Sequence, residues 1–556
     1  MARRTADKPA LNLRETIANK ADLAGHVIVT LPILVYWIYW TLNPSYWYNG
    51  DPAAFYMVDS LSVFDGGGYT YVDHPGTPMQ VIGTFFLALT YPFFNSYESF
   101  IDFHIARPEA FFLMTHVFLL VTNLATAIIF YRVAKKTLGE NQILESISVS
   151  ILFFTLNPYS FPSLTFWSHN SLNFPFGTLL LLWLFHELQS ENGIKRYRLV
   201  LMGIAAGILA IAQVYFIVWL ATFIFTVFIF TIRKDKKFAP AFSQSMVVLL
   251  GGILGILAML LPIYRELPRF IEWSIQVATH SGAYGTGESG IFPLSLIPTA
   301  LTVWWNYARP MLIALTLGLA ALFLVAILRN RLKFRASPAV YAMTLGILFH
   351  IFVLLIPLMK AALKLRYTLS LAATLPILIL LILKLSEGID WKRAVFSRLI
   401  FAVVLLGVAV SLNQEIELAG QRAYVEVDAL RAQSRAVRLL AKEMNVPEQD
   451  LVIVYAFATP LHCSGMLEAS NWTGALKEET SAACPNQHAI FDSVVELNTY
   501  EPVPGLEEID WDLVVWPGNN SDLPRYLESV GAVTIPESWR VRRNKWFYIH
   551  SEVLNE

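Results

Sequence analysis

Apolar residues run in long unbroken blocks through the first four hundred positions, separated by short polar segments. That pattern predicts helices crossing a bilayer, because a spanning helix needs about twenty apolar residues to cover the hydrocarbon core. Blocks of this kind are His26 to Leu42, Phe111 to Tyr131, Ile143 to Phe161, Phe174 to Leu188, Met246 to Tyr264, Pro310 to Leu328, Val340 to Met359, Tyr367 to Leu383 and Leu399 to Leu412. The run Leu199 to Ile232 is too long for one crossing and is basic at both ends, with Lys195, Arg196 and Arg198 before it and Arg233, Lys234, Lys236 and Lys237 after it. It reads as a hairpin turning near Gln213, which brings the expected number of spans to about eleven.

Sidedness follows from where the cations fall. Arg3, Arg4, Lys8, Arg14 and Lys20, then Arg132, Lys135 and Lys136, then Arg329, Arg331, Lys333 and Arg335, then Lys384, Lys392, Arg393 and Arg398 occupy alternate loops. By the positive-inside rule those loops, and the N terminus, are cytoplasmic. Met79 to Phe94 is apolar enough to cross, but a crossing there would invert every later loop. It is therefore expected to be an interfacial or re-entrant helix inside a long outer loop. An odd number of crossings leaves the residues after Leu412 outside.

Composition agrees with a multi-pass protein of a cell membrane: 55% hydrophobic, 15% charged, with a mean hydropathy of +0.51. A formal net charge of −1 gives nucleic-acid binding no electrostatic support. The first apolar run is bounded by Trp37, Tyr39 and Trp40 rather than by a small-residue cleavage site, so it is expected to remain as an anchor. After Asn413 the pattern turns globular, with short β-rich runs at Leu451 to Phe457, Leu513 to Trp516 and Trp546 to His550. Both cysteines, Cys463 and Cys484, lie in this stretch; they read either as a disulfide in an oxidising compartment or as two thiols. The expected architecture is a polytopic α-helical membrane domain over 26–412 and an extracytoplasmic α/β domain over 413–556. A cytoplasmic segment, 1–25, precedes them, and outer loops lie at 43–108 and 265–309.

The loop from Asn43 to Pro108 concentrates polar groups that are scarce elsewhere, among them Asp51, Asp59, Asp65 and the run Asp73, His74, Pro75, Gly76, Thr77, Pro78. An acid soon after the first span, an aromatic after it, a His-Pro turn leading into an interfacial helix and Arg107 just before the second span resemble the GT-C glycosyltransferases. The likeness is to the branch of protein O-mannosyltransferases and aminoarabinose transferases. Tyr131-Arg132, the hairpin at Gln213, the outer loop around His280 to Gly290, and Arg366-Tyr367 opening a late span fit the same plan.

The resemblance implies an enzyme that moves a sugar from a polyprenyl-phosphate donor to a glycan, lipid or protein acceptor on the outer face, with inversion and without a cofactor. Such transfer needs a carboxylate to take the acceptor's proton and cations to hold the departing phosphate. Asp51 is the expected base; its alternative reading is a cap for a helix beginning at Pro52. Asp59 and Asp73 read as structural first, with Asp73 and His74 also placed to meet substrate. Arg107, Lys364 and Arg366 are outer cations suited to phosphate, or else snorkelling side chains at helix ends; Arg265, Arg269 and Arg309 are lesser versions. Tyr367 accompanies Arg366, and His280 sits in a Gly-rich loop suited to a lid over lipid substrate.

Two departures from the family matter. The second outer loop, Trp167 to Asn173, carries no carboxylate, which argues against a bound divalent metal, and Gln213 stands where many relatives have Lys. A transporter or an inactive envelope scaffold are the competing readings. Against a transporter, the sequence shows neither an inverted repeat nor a charge in mid-span.

Overall fold

The computed structural model describes residues 8–41, 52–72, 76–190, 194–279, 294–332, 336–360, 365–387, 450–455, 462–489, 513–516 and 547–550, with single positions 407, 442, 445 and 447. The chain is mostly helical. In order the helices are α1 Lys8–Thr41, α2 Ala53–Ser62, α3 Thr77–Thr90, α4 Tyr97–Ala106, α5 Pro108–Leu138, α6 Ile143–Thr155, α7 His169–Leu188, α8 Arg196–Ala212, α9 Ile217–Asp235, α10 Phe238–Leu260, α11 Leu267–Thr279, α12 Ile297–Tyr307, α13 Arg309–Leu332, α14 Pro338–Lys360 and α15 Leu369–Leu385. Two more, α16 His462–Thr473 and α17 Lys477–Ala483, belong to the C-terminal stretch.

Among the described residues, seven stretches are long and apolar enough to cross a membrane, and the protein is a membrane protein. They lie in α1, α5, α9, α10 continuing into α11, α13, α14 and α15. Their outer faces keep large apolar side chains uncovered, such as Leu31 and Val35 on α1, Leu250 and Leu254 on α10 and Leu317 and Phe323 on α13, as lipid-facing surfaces do. The expected span Leu399 to Leu412 lies outside the described residues.

Hydropathy misplaced two helix ends, for different reasons. The expected span Ile143 to Phe161 leaves the helix at Thr155, giving α6 only 13 residues. Pro158 and Pro162 follow, and proline both lacks an N–H and pushes the residue before it out of the helical region. The chain continues through tight turns, with Ser160 N bonded to Asn157 O and Leu164 N to Phe161 O. Conversely, α7 starts at His169 rather than Phe174, because Ser168 caps it, its hydroxyl accepting from Ser171 N. The polar run before Phe174 is therefore the first turn of a helix and not a loop.

The Leu199 to Ile232 hairpin folds as α8 and α9, with Gln213 extended at φ −161° and ψ 134° between them. Helices α8 and α10 meet backbone to backbone: a Cβ on Gly207 would collide with the Gly252 backbone, and one on Gly255 with the Ile204 carbonyl. Helix α3, in the segment Met79 to Phe94, has 14 residues, or about 21 Å at 1.5 Å per residue, short of the hydrocarbon thickness.

A second core sits over one end of the bundle. It joins Phe55, Tyr56 and Leu61 of α2, Tyr71, Met79 of α3, Phe100 and Ile105 of α4 and Trp167 to Met466 and Ala469 of α16. Phe55 meets Trp472 edge-on at 6.4 Å between centroids. A disulfide joins Cys463 on α16 to Cys484 just past α17, Cα atoms 5.8 Å apart. The described strands, β1 Ile453–Tyr455, β2 Gln487–Ala489, β3 Leu513–Trp516 and β4 Phe547–His550, form one sheet in the order β2-β1-β3-β4. Strand β1 runs parallel to β2 and β3, and β4 closes the edge antiparallel to β3.

Substituting Gly207→Leu should destabilise the fold by about 1–3 kcal/mol, since the two backbones must part to admit the side chain. Thermal unfolding in detergent measures this, and an unchanged melting temperature would show that α8 and α10 are not in backbone contact.

Candidate functional site

Among the described residues a buried polar contact ties helix α2 to the bundle. Tyr56 Oη lies 2.9 Å from His169 Nδ1 on α7, both groups buried. The Tyr56 ring rests directly on Gly76, where any Cβ would collide with it. The glycine of the His-Pro-Gly-Thr-Pro run is thus a space requirement, set by the ring it supports.

From His169 the polar groups continue into a buried patch. Its ring centroid is 6.4 Å from that of Tyr367, which is 5.6 Å from Tyr215. Tyr215 Oη donates to Asn170 Oδ1 at 2.9 Å, and Arg366, beside Tyr367 in the chain, lies within electrostatic reach of the Tyr215 phenol. Asn173 Nδ2 donates to Ser370 Oγ at 3.3 Å, and Asn157 Nδ2 donates to Thr368 Oγ1 at 2.5 Å. Four separate parts of the chain therefore meet here: α2, the turns after α6 with the start of α7, the α8–α9 turn, and the start of α15. The 3.6-residue period puts His169 and Asn173 on one face of α7, with Asn170 one turn below Asn173.

Asp59 is a support for this arrangement. It is fully buried on α2, and its Oδ2 accepts from Thr70 N at 3.0 Å, Tyr71 N at 2.7 Å and Gln80 Nε2 at 2.7 Å. Thr70 Oγ1 lies 2.9 Å from Asp59 Oδ1 and 2.9 Å from the Thr473 carbonyl of α16. One hydroxyl hydrogen cannot serve both acceptors. If Oδ1 carries a proton, Asp59 donates to Thr70 and Thr70 donates to Thr473, and every group is satisfied. Burial pushes the Asp59 carboxyl up to about 7, against the Tyr71 and Thr70 donors and the more distant Arg269 that favour its charged form.

Of the residues singled out from the sequence, Arg366 and Tyr367 stand at the patch. Asp51, Asp73, His74, His280 and Lys364 lie outside the described residues. Helix α2 has Pro52 at its N-cap position, with no side-chain capping bond from that residue. Arg107 is exposed at the α4–α5 junction, 5.9 Å over the Phe103 ring, and no described contact joins it to the patch. Arg265 is likewise exposed, its Nε donating to Tyr264 Oη at 2.9 Å, and Arg309 lies over Trp305 at 4.9 Å. His169, Tyr56 and Tyr215 received no role from the sequence. The signal that could have found them was a cluster of amides and hydroxyls set between apolar blocks, each needing a buried partner. Among the described residues no group of three His, Cys, Asp or Glu side chains is placed to hold a metal ion.

No family model matches the chain, and no curated protein matches it. Among solved structures it is similar to the crystal structure of ArnT from Cupriavidus metallidurans bound to undecaprenyl phosphate, at 12% sequence identity and a TM-score of 0.47, covering 94% of this chain and 97% of that one. A likeness of that size carries no residue's role across, so the chemistry of the patch is argued from its own atoms.

The Asp59 web sets a pH dependence whose sign is fixed. An unfolded carboxyl titrates near 3.9, below the value of about 7 in the fold, so the folded state binds the proton more tightly. Stability from this group is complete at low pH and is lost as pH rises from about 4 through about 7. Asp59→Asn, which copies the protonated shape, should remove that loss. Melting temperatures of both proteins from pH 5 to 8 test it; parallel curves for the two would show that Asp59 carries no proton in this window.

Proposed function

We propose that this protein is an integral-membrane glycosyltransferase that moves a sugar from a polyprenyl-phosphate donor to a glycan, lipid or protein acceptor at the outer face of the membrane, with inversion. One observation carries the reading: α2, which begins two residues after Asp51 in the chain, is joined to the Arg366-Tyr367 segment through the Tyr56–His169 contact. Displacement at a phosphorylated sugar carbon requires an acid and a cation in one region, and the contact supports that reading because it ties the helix that follows Asp51 in sequence to the segment carrying Arg366.

In this mechanism the Asp51 carboxylate takes the proton from the acceptor hydroxyl as its oxygen attacks the anomeric carbon from the face opposite the phosphate. The bond from that carbon to the phosphate oxygen breaks, and the polyprenyl phosphate leaves with the electron pair. Arg366 holds the developing phosphate charge; a guanidinium does so with two parallel hydrogen bonds, and Lys364, two residues earlier, adds a second cation. Tyr367 fixes the Arg366 side chain by lying under it, 5.6 Å from guanidinium carbon to ring centroid. Asp73 and His74 adjoin the Gly76 turn against which Tyr56 rests and would contact the acceptor. His280 belongs to the loop that would close over the lipid, and Arg107 guides anionic headgroups at the membrane surface. The cytoplasmic N terminus and the outer C-terminal domain complete the topology.

Asp51→Asn should lower kcat by about a hundredfold or more while the protein still inserts and folds, the usual size of a lost general base. Arg366→Ala should weaken binding of the polyprenyl-phosphate donor. Transfer assays with purified full-length protein and a panel of polyprenyl-phosphate sugars read both effects; undiminished transfer by the Asp51 variant would remove that residue as base.

A further inference from the structure

The patch contains polar atoms that the fold leaves open. Asn170 Nδ2, Asn173 Oδ1 and Gln213 Oε1 have no hydrogen-bond partner among the described residues, although their residues are only 3%, 1% and 6% exposed. The two asparagines are held from their other ends: Asn170 Oδ1 accepts from Tyr215, and Asn173 Nδ2 donates to Ser370. Gln213 sits two residues before Tyr215 in the same turn, where Phe216 N bonds back to its carbonyl at 2.8 Å. Each asparagine amide is thus fixed in orientation with one polar atom unused. Buried atoms of this kind cost stability, and proteins retain them where something else completes the bonding.

The open atoms define what could complete it. They comprise one amide N–H2 that must donate and two amide oxygens that must accept. A hydroxyl group does either, so a polyol matches all three. The described side chains around them are amides, hydroxyls, phenols and the His169 ring, with the Arg366 guanidinium as the charged group among them. A sugar bearing an ammonium would be set among these groups beside the Arg366 guanidinium, a like charge that repels it. A sugar bearing a carboxylate would face two amide oxygens that repel it.

We infer that Asn170, Asn173 and Gln213 read the hydroxyls of the donor's sugar and restrict it to an uncharged one. This rests on the sugar-transfer reading above and narrows it to a substrate class.

The test measures binding by full-length protein in lipid nanodiscs of three probes: sugar-free polyprenyl phosphate, a polyprenyl-phosphate neutral hexose and a polyprenyl-phosphate amino sugar. The wild type should bind the neutral hexose lipid tighter than the other two. Asn173→Leu and Gln213→Leu should each weaken the hexose lipid by about tenfold, the size of one or two lost hydrogen bonds, and leave the sugar-free lipid unchanged. Asn170→Asp keeps the oxygen that Tyr215 needs, removes the donor and adds a negative charge, so it should shift preference toward the amino sugar; a gain of that kind cannot come from misfolding. Equal weakening of sugar-free and hexose lipids in the leucine variants, as expected if the amides only order water, overturns the inference, as does a wild-type preference for the amino sugar. Failure of the wild type to bind even sugar-free polyprenyl phosphate, by contrast, overturns the sugar-transfer reading itself.

Discussion

The arrangement of the candidate site depends on the contact between Tyr56 Oη and His169 Nδ1, 2.9 Å long and closed to solvent. It joins a short helix between the first two apolar spans to the start of a helix of the bundle, 113 positions later in the chain. Neither partner reaches it alone. Tyr56 points there because Gly76 leaves room beneath its ring. His169 points back because the Ser168 cap turns a polar stretch into the opening of α7. In a bilayer protein the cost of an unmet buried group exceeds that of an exposed one, so a contact of this kind fixes geometry as well as adding stability.

Much of the membrane part was legible in the sequence because hydropathy and charge report the same physical variable, transfer from water to lipid. Seven spanning stretches, the break at Gln213 and the short helix after Gly76 could all be read that way. Where prediction failed, local backbone chemistry outweighed hydropathy. The expected span runs on from Leu156 to Phe161, yet Pro158 and Pro162 end the helix at Thr155. Polar residues from His169 to Asn173 look like a loop, yet one serine hydroxyl suffices to start a helix through them.

The candidate site was half legible for a related reason. Arg366 and Tyr367 stood out because a cation on the outer side breaks the charge pattern. His169, Tyr215 and the three amides did not, because neutral polar residues leave no mark on charge counts and only a weak one on hydropathy. Their importance lies in pairings between distant positions, such as Tyr215 with Asn170 and Asn173 with Ser370, and no periodicity within one segment encodes those.

Helix α2 has ten residues, too few to be stable by itself in water, since isolated helices are marginal below about 12–15 residues. Its position must be imposed by its surroundings, and those come from both ends of the chain. Asp59 pins it to Thr70, Tyr71 and Gln80, and Thr70 passes the connection on to Thr473 of α16. Phe55 packs on Trp472 from the same helix. The Cys463–Cys484 disulfide, with a sequence separation of 21, restrains the unfolded hairpin of α16 and α17 by about 3 kcal/mol in the chain-entropy account. That restraint acts on a segment which meets α2 among the described residues. Helix α16 is therefore mechanically part of the candidate site: what it holds in place is the helix carrying Tyr56, and through Tyr56 the side of the patch where α2 meets His169.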